Sequence, residues 1–473
     1  MEQLNSSAGV QRHSGEQPSL ARGQAPSSPV HLHRTTAIHW PSLSHFGLLI
    51  SVLILNTVLL FIVIPQASSQ IRPLYNGNVY ADGYDQIAEN LAQGKGYRFF
   101  PDTARTLLRE PGYPILLAGI FLVFGKNFAV VKSTNMLLAF ATAFLIARIA
   151  RSLTNNRLLT WGAPLLFMAH PVTLIAESRG GVEILFAFML TLFMLTVQRA
   201  ISTNRWWDYL ISGGVLGLTV LVRSTPILFP LFLFAYLWLR GRQQAQTALV
   251  LRNFLIIVIA LFVVLSPWII RNYMLTGEFV PTASVLGVAA DAGFYLSSHH
   301  AIGNLVLDTQ AARERDELAR GLGYAFRAGY YQYFYSSADE LAFSHYLFRR
   351  VVQGYLNSPG LFLETVSLNL LRFWCGGKTL ASVVMAAILQ VPFLVLAFVG
   401  VAFHVKSGRF SEIAPMVLLV LYIVAVSLPI LAQARYSVPL VPFLSLFACA
   451  GLGVLTTRLR GERSVKHAGL MNS

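Results

Sequence analysis

Charged side chains are scarce in this 473-residue sequence: they make up 12%, about half of what a soluble domain carries. Acidic residues are the scarcer sign, 21 Asp and Glu against 36 Lys and Arg, for a formal net charge of +15. Too few charges are present to clothe a soluble globule of this length. Cysteine is nearly absent as well. Cys375 and Cys449 stand far apart and outside any CxxC or His spacing, so neither a disulfide framework nor a zinc site is indicated. The basic excess does not mark a nucleic-acid binder, because Lys and Arg fall in small clusters between apolar runs instead of one stripe or patch.

What fills the chain is apolar: 55% of the residues are hydrophobic and the mean hydropathy is +0.57. The first apolar run, FGLLISVLILNTVLLFIVIP at 46–65, is long enough at about 1.5 Å per residue to cross a bilayer core of about 30 Å. Further spans are expected at 129–149, 158–176, 183–198, 206–222, 225–239, 253–270, 380–403, 412–432 and 436–457. The expected fold is therefore an all-α polytopic membrane protein with about ten transmembrane helices. Residues 1–45 are rich in Ser, Gln, Pro, Gly and His and read as a disordered tail. The first run is too long for a signal peptide and lacks a small-residue cleavage site, so it reads as a retained helix. YPILLAGIFLVF, 113–124, is short for a span and reads as a helix lying in or dipping into the interface.

With 113–124 set aside, the loop charges separate by side. One set of loops holds Arg148, Arg151, Arg157, Arg199, Arg205, Arg240, Arg242, Arg252, Lys406 and Arg409, and the same side takes the basic tail 458–473. The opposite short turns hold only Arg179, Arg223 and Arg435. The positive-inside rule then places both termini in the cytoplasm and turns the loops 66–128 and 271–379 outward. A module at 46–270, the large outer loop 271–379 and C-terminal spans at 380–457 complete the expected organisation.

The carboxylates gather at the outer surface. The first outer loop carries Asp82, Asp85, Glu89, Asp102, Arg105, Arg109 and Glu110. Residues 81–91 have helical spacing, with Tyr84, Ile87, Ala88 and Leu91 on one face and Asp82, Asp85 and Glu89 beside them. Taken alone, this is a solvated loop face, and Arg109 is a side chain snorkelling to headgroups. In the large loop, the spacing around Ser358, Pro359 and Gly360 predicts two helices split there, fitting a lid over a site.

Several elements, in order, change that reading. Asp-x-x-Tyr leads into IAENLAQGKGY; REPGYP precedes LLAGIFLVFG; a short turn ends at Glu183 in GGVEILFAF; SPWIIRNYMLTGEFVP occupies 266–281; and ARYSVPLVPFL occupies 434–444. This series resembles the GT-C glycosyltransferases, specifically family 39, which holds the protein O-mannosyltransferases and the lipid A aminoarabinose transferases. The resemblance extends over roughly residues 46–445. It implies a GT-C fold with outer juxtamembrane helices, and inverting transfer of a sugar from a polyprenyl-phosphate donor to a lipid, glycan or protein acceptor on the outer face. It also implies Asp82 as the base that takes the acceptor's proton, with Asp85 competing for that role, and Glu183 as a helper that orients the acceptor. Arg109 would hold the donor phosphate, where the lipid A branch has Lys, and Arg435 could add a second contact. Arg271 is either a further phosphate contact or an interfacial anchor.

No cofactor beyond the lipid-linked sugar is expected, and no catalytic metal, since guanidinium alone can stabilise a phosphate leaving group. His170 in MAHPVT reads as satisfying a polar contact at a Pro kink and not as a ligand, and the adjacent His299 and His300 have no third ligand at metal spacing. The expected setting is a bacterial inner membrane, with membrane lipids as neighbours and no nucleic acid. Two other functions compete. A transporter or flippase for lipid-linked glycans would carry ionisable groups at the bilayer midplane and internal repeats, and neither is visible. A polysaccharide polymerase or ligase lacks a carboxylate-bearing loop directly after its first helix.

Overall fold

The computed structural model describes residues 43–63, 82–154, 156–242, 247–302, 305–377 and 379–470, all within one compact unit, Pro41–Ser473. Most of the tail expected at 1–45, and residues 66–81 of the first outer loop, lie outside the described residues. Among the described residues every regular element is a helix except for one two-stranded ribbon, β1 (Phe326–Arg327) paired antiparallel with β2 (Tyr333–Phe334).

A helix occupies each of the ten expected spans. In chain order these are α1 (Leu43–Val58), which continues as a π turn over Leu59–Val63, α4 (Phe128–Leu153), α5 (Arg157–Met168) with α6 (Pro171–Arg179), α7 (Glu183–Thr203), α8 (Trp206–Val222), α9 (Phe229–Arg242) and α10 (Thr247–Thr276). The last three are α15 (Leu380–Lys406), α16 (Phe410–Ser427) and α17 (Val441–Leu470). Among the described residues, six helices are long and apolar enough to cross a membrane unaided, and the α5–α6 pair makes a seventh if counted as one bent span. Trp206–Val222 and Thr225–Gly241 are apolar but shorter. The outward faces of α10 and α15 are apolar, with Val263 64% and Phe398 73% exposed, the inverse of a soluble helix and the pattern that lipid requires.

The span expected at 158–176 is not straight. It breaks at Ala169 and His170 and bends by 49°, because Pro171 has no N–H to give and forces His170 into an extended conformation, φ −70°, ψ 125°. Asn56 of α1 donates to the Met168 carbonyl freed there, at 3.1 Å. The core lies around α17, where Phe443, Leu446, Phe447 and Ala448 are buried. α15 crosses it so closely that a Cβ on Gly400 would stand 1.9 Å from the Phe447 carbonyl oxygen, and one on Gly451 2.1 Å from that of Leu396. Small residues permit such backbone approach between membrane helices.

The alternating helices give the bundle two distinct ends. At one, Arg409 donates to the Leu153 carbonyl at 2.5 Å, Asn253 to Asn204 at 3.0 Å, and Arg199 pairs with Asp208 at 3.0 Å. The other end carries α2 (Tyr84–Ala92), α3 (Gly112–Phe124) and the large loop with α11 (Val285–Ser298), α12 (Leu305–Gly321), α13 (Ser337–Asn357) and α14 (Pro359–Cys375). α13 and α14 meet at Ser358, where the sequence divided them. The two large loops are fastened together. The buried Glu340 of α13 accepts from Thr106 and from the Leu107 amide at 2.7 Å each and from Ser284 at 2.9 Å, while Ser284 donates its amide to the Leu107 carbonyl at 2.8 Å. A buried carboxylate with three donors is satisfied despite the burial that pushes its pKa up.

Candidate active site

Asp82 precedes Gly83, which holds φ 72° at the N-cap of α2. Only glycine suits that position, because a Cβ would meet the Phe99 ring at 2.6 Å as well as adopting a strained backbone. The turn aims the Asp82 carboxylate, 15% exposed, at two guanidiniums from distant parts of the chain. Arg435, from the 3-10 turn Ala434–Leu440 before α17, grips both of its oxygens, the longer contact being 3.2 Å. Arg109 donates Nε to the Asp82 carbonyl at 3.1 Å and sets Nη2 3.6 Å from Oδ1. Burial alone would raise the Asp82 pKa, but Arg435 and then Arg109 outweigh it and hold the carboxyl well below the usual carboxylate range.

Glu183 opens α7 and lies 3.5 Å from Arg435, so both ends of the proposed acid pair converge on one arginine. Gln433 completes the grip, accepting from Arg435 Nε at 2.7 Å. Arg109 is enclosed by aromatic rings, with its Cζ 5.1 Å from the Tyr84 centroid and 4.8 Å from that of Tyr331. It also donates to the Tyr331 hydroxyl. Its backbone is pinned by Tyr97, whose hydroxyl reaches the Arg109 and Glu110 carbonyls at 3.0 Å each. The Glu110 carboxylate accepts from the Ser224 amide at 3.0 Å, tying this loop to the end of α8.

The other candidates are placed differently. Asp85 turns away from the arginines and pairs with Lys126 at 3.1 Å, a lysine shared with Glu89 at 2.8 Å; burial pushes the Asp85 carboxyl up. Arg271 stacks on Trp268 at 4.4 Å and Tyr97 at 5.3 Å and donates to Asn272 at 2.8 Å, one ring removed from the Arg109 backbone and apart from Asp82. His170 is buried at the break with its ring 4.6 Å from that of Phe393, but neither ring nitrogen has a hydrogen-bond partner among the described residues, so the polar contact expected of it is not made. Among the described residues no three His, Cys, Asp or Glu side chains are grouped to hold a metal.

Three contributors escaped the sequence reading: Tyr331 from the ribbon, Gln433, and Arg223, which follows α8. Arg223 did leave a signal, as one of only three basic residues in the short turns of the sparsely charged side, and two of those three, Arg223 and Arg435, now lie against the Tyr436 ring.

Carboxylates and guanidiniums thus converge at one end of a many-helix membrane protein. Residues 109–270 match the family described as dolichyl-phosphate-mannose-protein mannosyltransferase, which falls in the GT-C, family 39-like group. This indicates a membrane glycosyltransferase of the GT-C type. The matched stretch, about a third of the chain, contains Arg109, Glu183 and Arg223, whereas Asp82 and Arg435 flank it. No curated protein matches the chain.

Proposed function

We propose that this protein transfers a sugar from a polyprenyl phosphate to an acceptor hydroxyl or amine on the outer face of the membrane, with inversion. The acceptor atom bonds to the anomeric carbon, and the bond from that carbon to the phosphate oxygen breaks, leaving its electron pair on the polyprenyl phosphate. The acceptor's proton passes to the Asp82 carboxylate. The observation that carries this reading is the Arg109–Asp82–Arg435–Glu183 cluster beside a segment of mannosyltransferase type.

In the free protein Asp82 is a weak base, because two guanidiniums hold its charge. An arriving phosphate competes for both, and each arginine it draws away raises the basicity of Asp82. Donor binding and base activation thereby become one event. Glu183 remains to orient the acceptor, and Arg109 and Arg435 stabilise the growing phosphate charge. The lipid tail is assigned to the apolar surface of α3, whose Ile115, Leu122 and Val123 are exposed. Both termini are assigned to the cytoplasm, with ten spans, on the loop charges. The test is transfer of radiolabel in membranes supplied with polyprenyl-phosphate mannose, glucose or aminoarabinose. Label moving from one donor in wild type and not in Asp82→Asn supports the reading. Label moving from none of the three, with uptake and export of lipid-linked glycan altered instead, would favour the flippase reading.

A further inference from the structure

Arg109 and Arg435 are already engaged by carboxylates, and Arg223 is not. Arg223 caps α8 with its amide donating to the Thr219 carbonyl at 3.0 Å, where a helix end favours positive charge. Its guanidinium lies over the Tyr436 ring at 4.1 Å and 6.0 Å from the Phe186 centroid. Arg435 approaches the same Tyr436 ring at 5.8 Å. Among the described residues no carboxylate pairs with Arg223, which is half-buried. Three guanidiniums thus surround one region, two of them against a single ring. Gathering like charges costs Coulomb energy that a ring face offsets only in part.

We infer that Arg223 is a third phosphate-binding residue, the one that meets the donor's phosphodiester before Arg109 and Arg435 are released from Asp82. This inference rests on the proposed function and names a further residue of that site. The chemistry asks for such a group. The glycosyl phosphodiester carries one negative charge, and the departing polyprenyl phosphate approaches two, so a cation that no carboxylate grips directly gains most as the bond breaks. The position fits as well. Arg223 follows Val222, against which Gly112 packs so closely that a Cβ there would lie 2.8 Å from the Val222 side chain. The guanidinium therefore stands at the junction of α8 with α3, the helix assigned to the lipid tail.

The test is binding of polyprenyl phosphate, and of the same polyprenol without phosphate, to the full chain in detergent or nanodiscs. Arg223→Gln should weaken the phosphate lipid roughly 10- to 100-fold and leave the polyprenol unchanged, and Arg223→Lys should recover part of the loss. Equal affinity for polyprenyl phosphate in wild type, Gln and Lys variants would overturn the inference and leave Arg223 as a strap on Tyr436, whatever happens to the melting temperature. An equal loss for both lipids would overturn it too, as damage to the fold. A wild-type protein that does not bind polyprenyl phosphate at all would overturn the proposed function, and this inference with it.

Discussion

Neutralising Asp82 separates the two carboxylates that compete for the role of base. Asp82→Asn keeps the shape of the side chain but removes the charge that two largely buried guanidiniums face. Breaking a buried pair costs about 3–5 kcal/mol in general, and the retained Asn oxygen, still able to accept from Arg435, puts the expected loss near the lower end. The chemical loss is separate: a missing base lowers the rate roughly 10²- to 10⁴-fold. Thermal unfolding reads the first, and single-turnover sugar transfer by the folded protein reads the second. Donor affinity should be retained, since Arg109 and Arg435 no longer have to leave a carboxylate. Asp85→Asn is the control. It breaks a pair with Lys126, which is 42% exposed, worth about 1 kcal/mol or less, and should transfer at close to the wild-type rate. Normal transfer by Asp82→Asn with a dead Asp85→Asn would hand the role to Asp85. Normal transfer by both would remove this loop from the chemistry.

Arg109→Ala should weaken donor binding roughly 10- to 100-fold and slow turnover, with partial recovery in Arg109→Lys; wild-type donor affinity and single-turnover rate in the Ala variant would return Arg109 to a purely structural part. The pH dependence of stability has a definite sign. The folded pKa of Asp82 lies below its unfolded value, so its contribution is present above the ordinary carboxylate range and lost only as pH falls through the depressed value. Arg435→Gln removes the strongest opposing charge and brings the folded pKa of Asp82 back toward its unfolded value, so the variant should be less stable than wild type near neutral pH and should lose less stability on acidification, as melting curves from about pH 7 to about pH 3 would show. For topology, a cysteine at Gly94 should react with an impermeant reagent from outside and one at Gly461 only after the inner face is opened; the reverse pattern would invert the assignment.

The helices were readable in the sequence because lipid leaves little freedom: a segment that crosses it has to be long, apolar and helical, and each of the ten runs is helical. The break at His170 was half readable. MAHPVT showed a Pro kink, but not that the span would divide into two helices at 49°. Asp82 and Asp85 could not be told apart because, three residues apart at a helix start, they differ only in direction. Lys126 and the arginines settle where each carboxylate points, and all of these come from other elements. Arg435 was found because it broke the charge rule. Arg223 broke the same rule, yet its partner ring, Tyr436, lies more than two hundred residues away. Tyr331 left no signal, since one tyrosine in an aromatic stretch is indistinguishable from its neighbours until the ribbon folds over Arg109.

The three bonds that Glu340 accepts have a mechanical consequence. Two of them, from Thr106 and Leu107, clamp the segment just ahead of Arg109 to α13, and Ser284, the third donor, also holds that segment through its amide on the Leu107 carbonyl. Tyr331, which covers Arg109, hangs from the ribbon that leads directly into α13. Cover and covered residue therefore ride on one lever. Any displacement of the large loop that uncovered Arg109 would also load the backbone that positions it, which couples the cover of the site to the aim of its guanidinium.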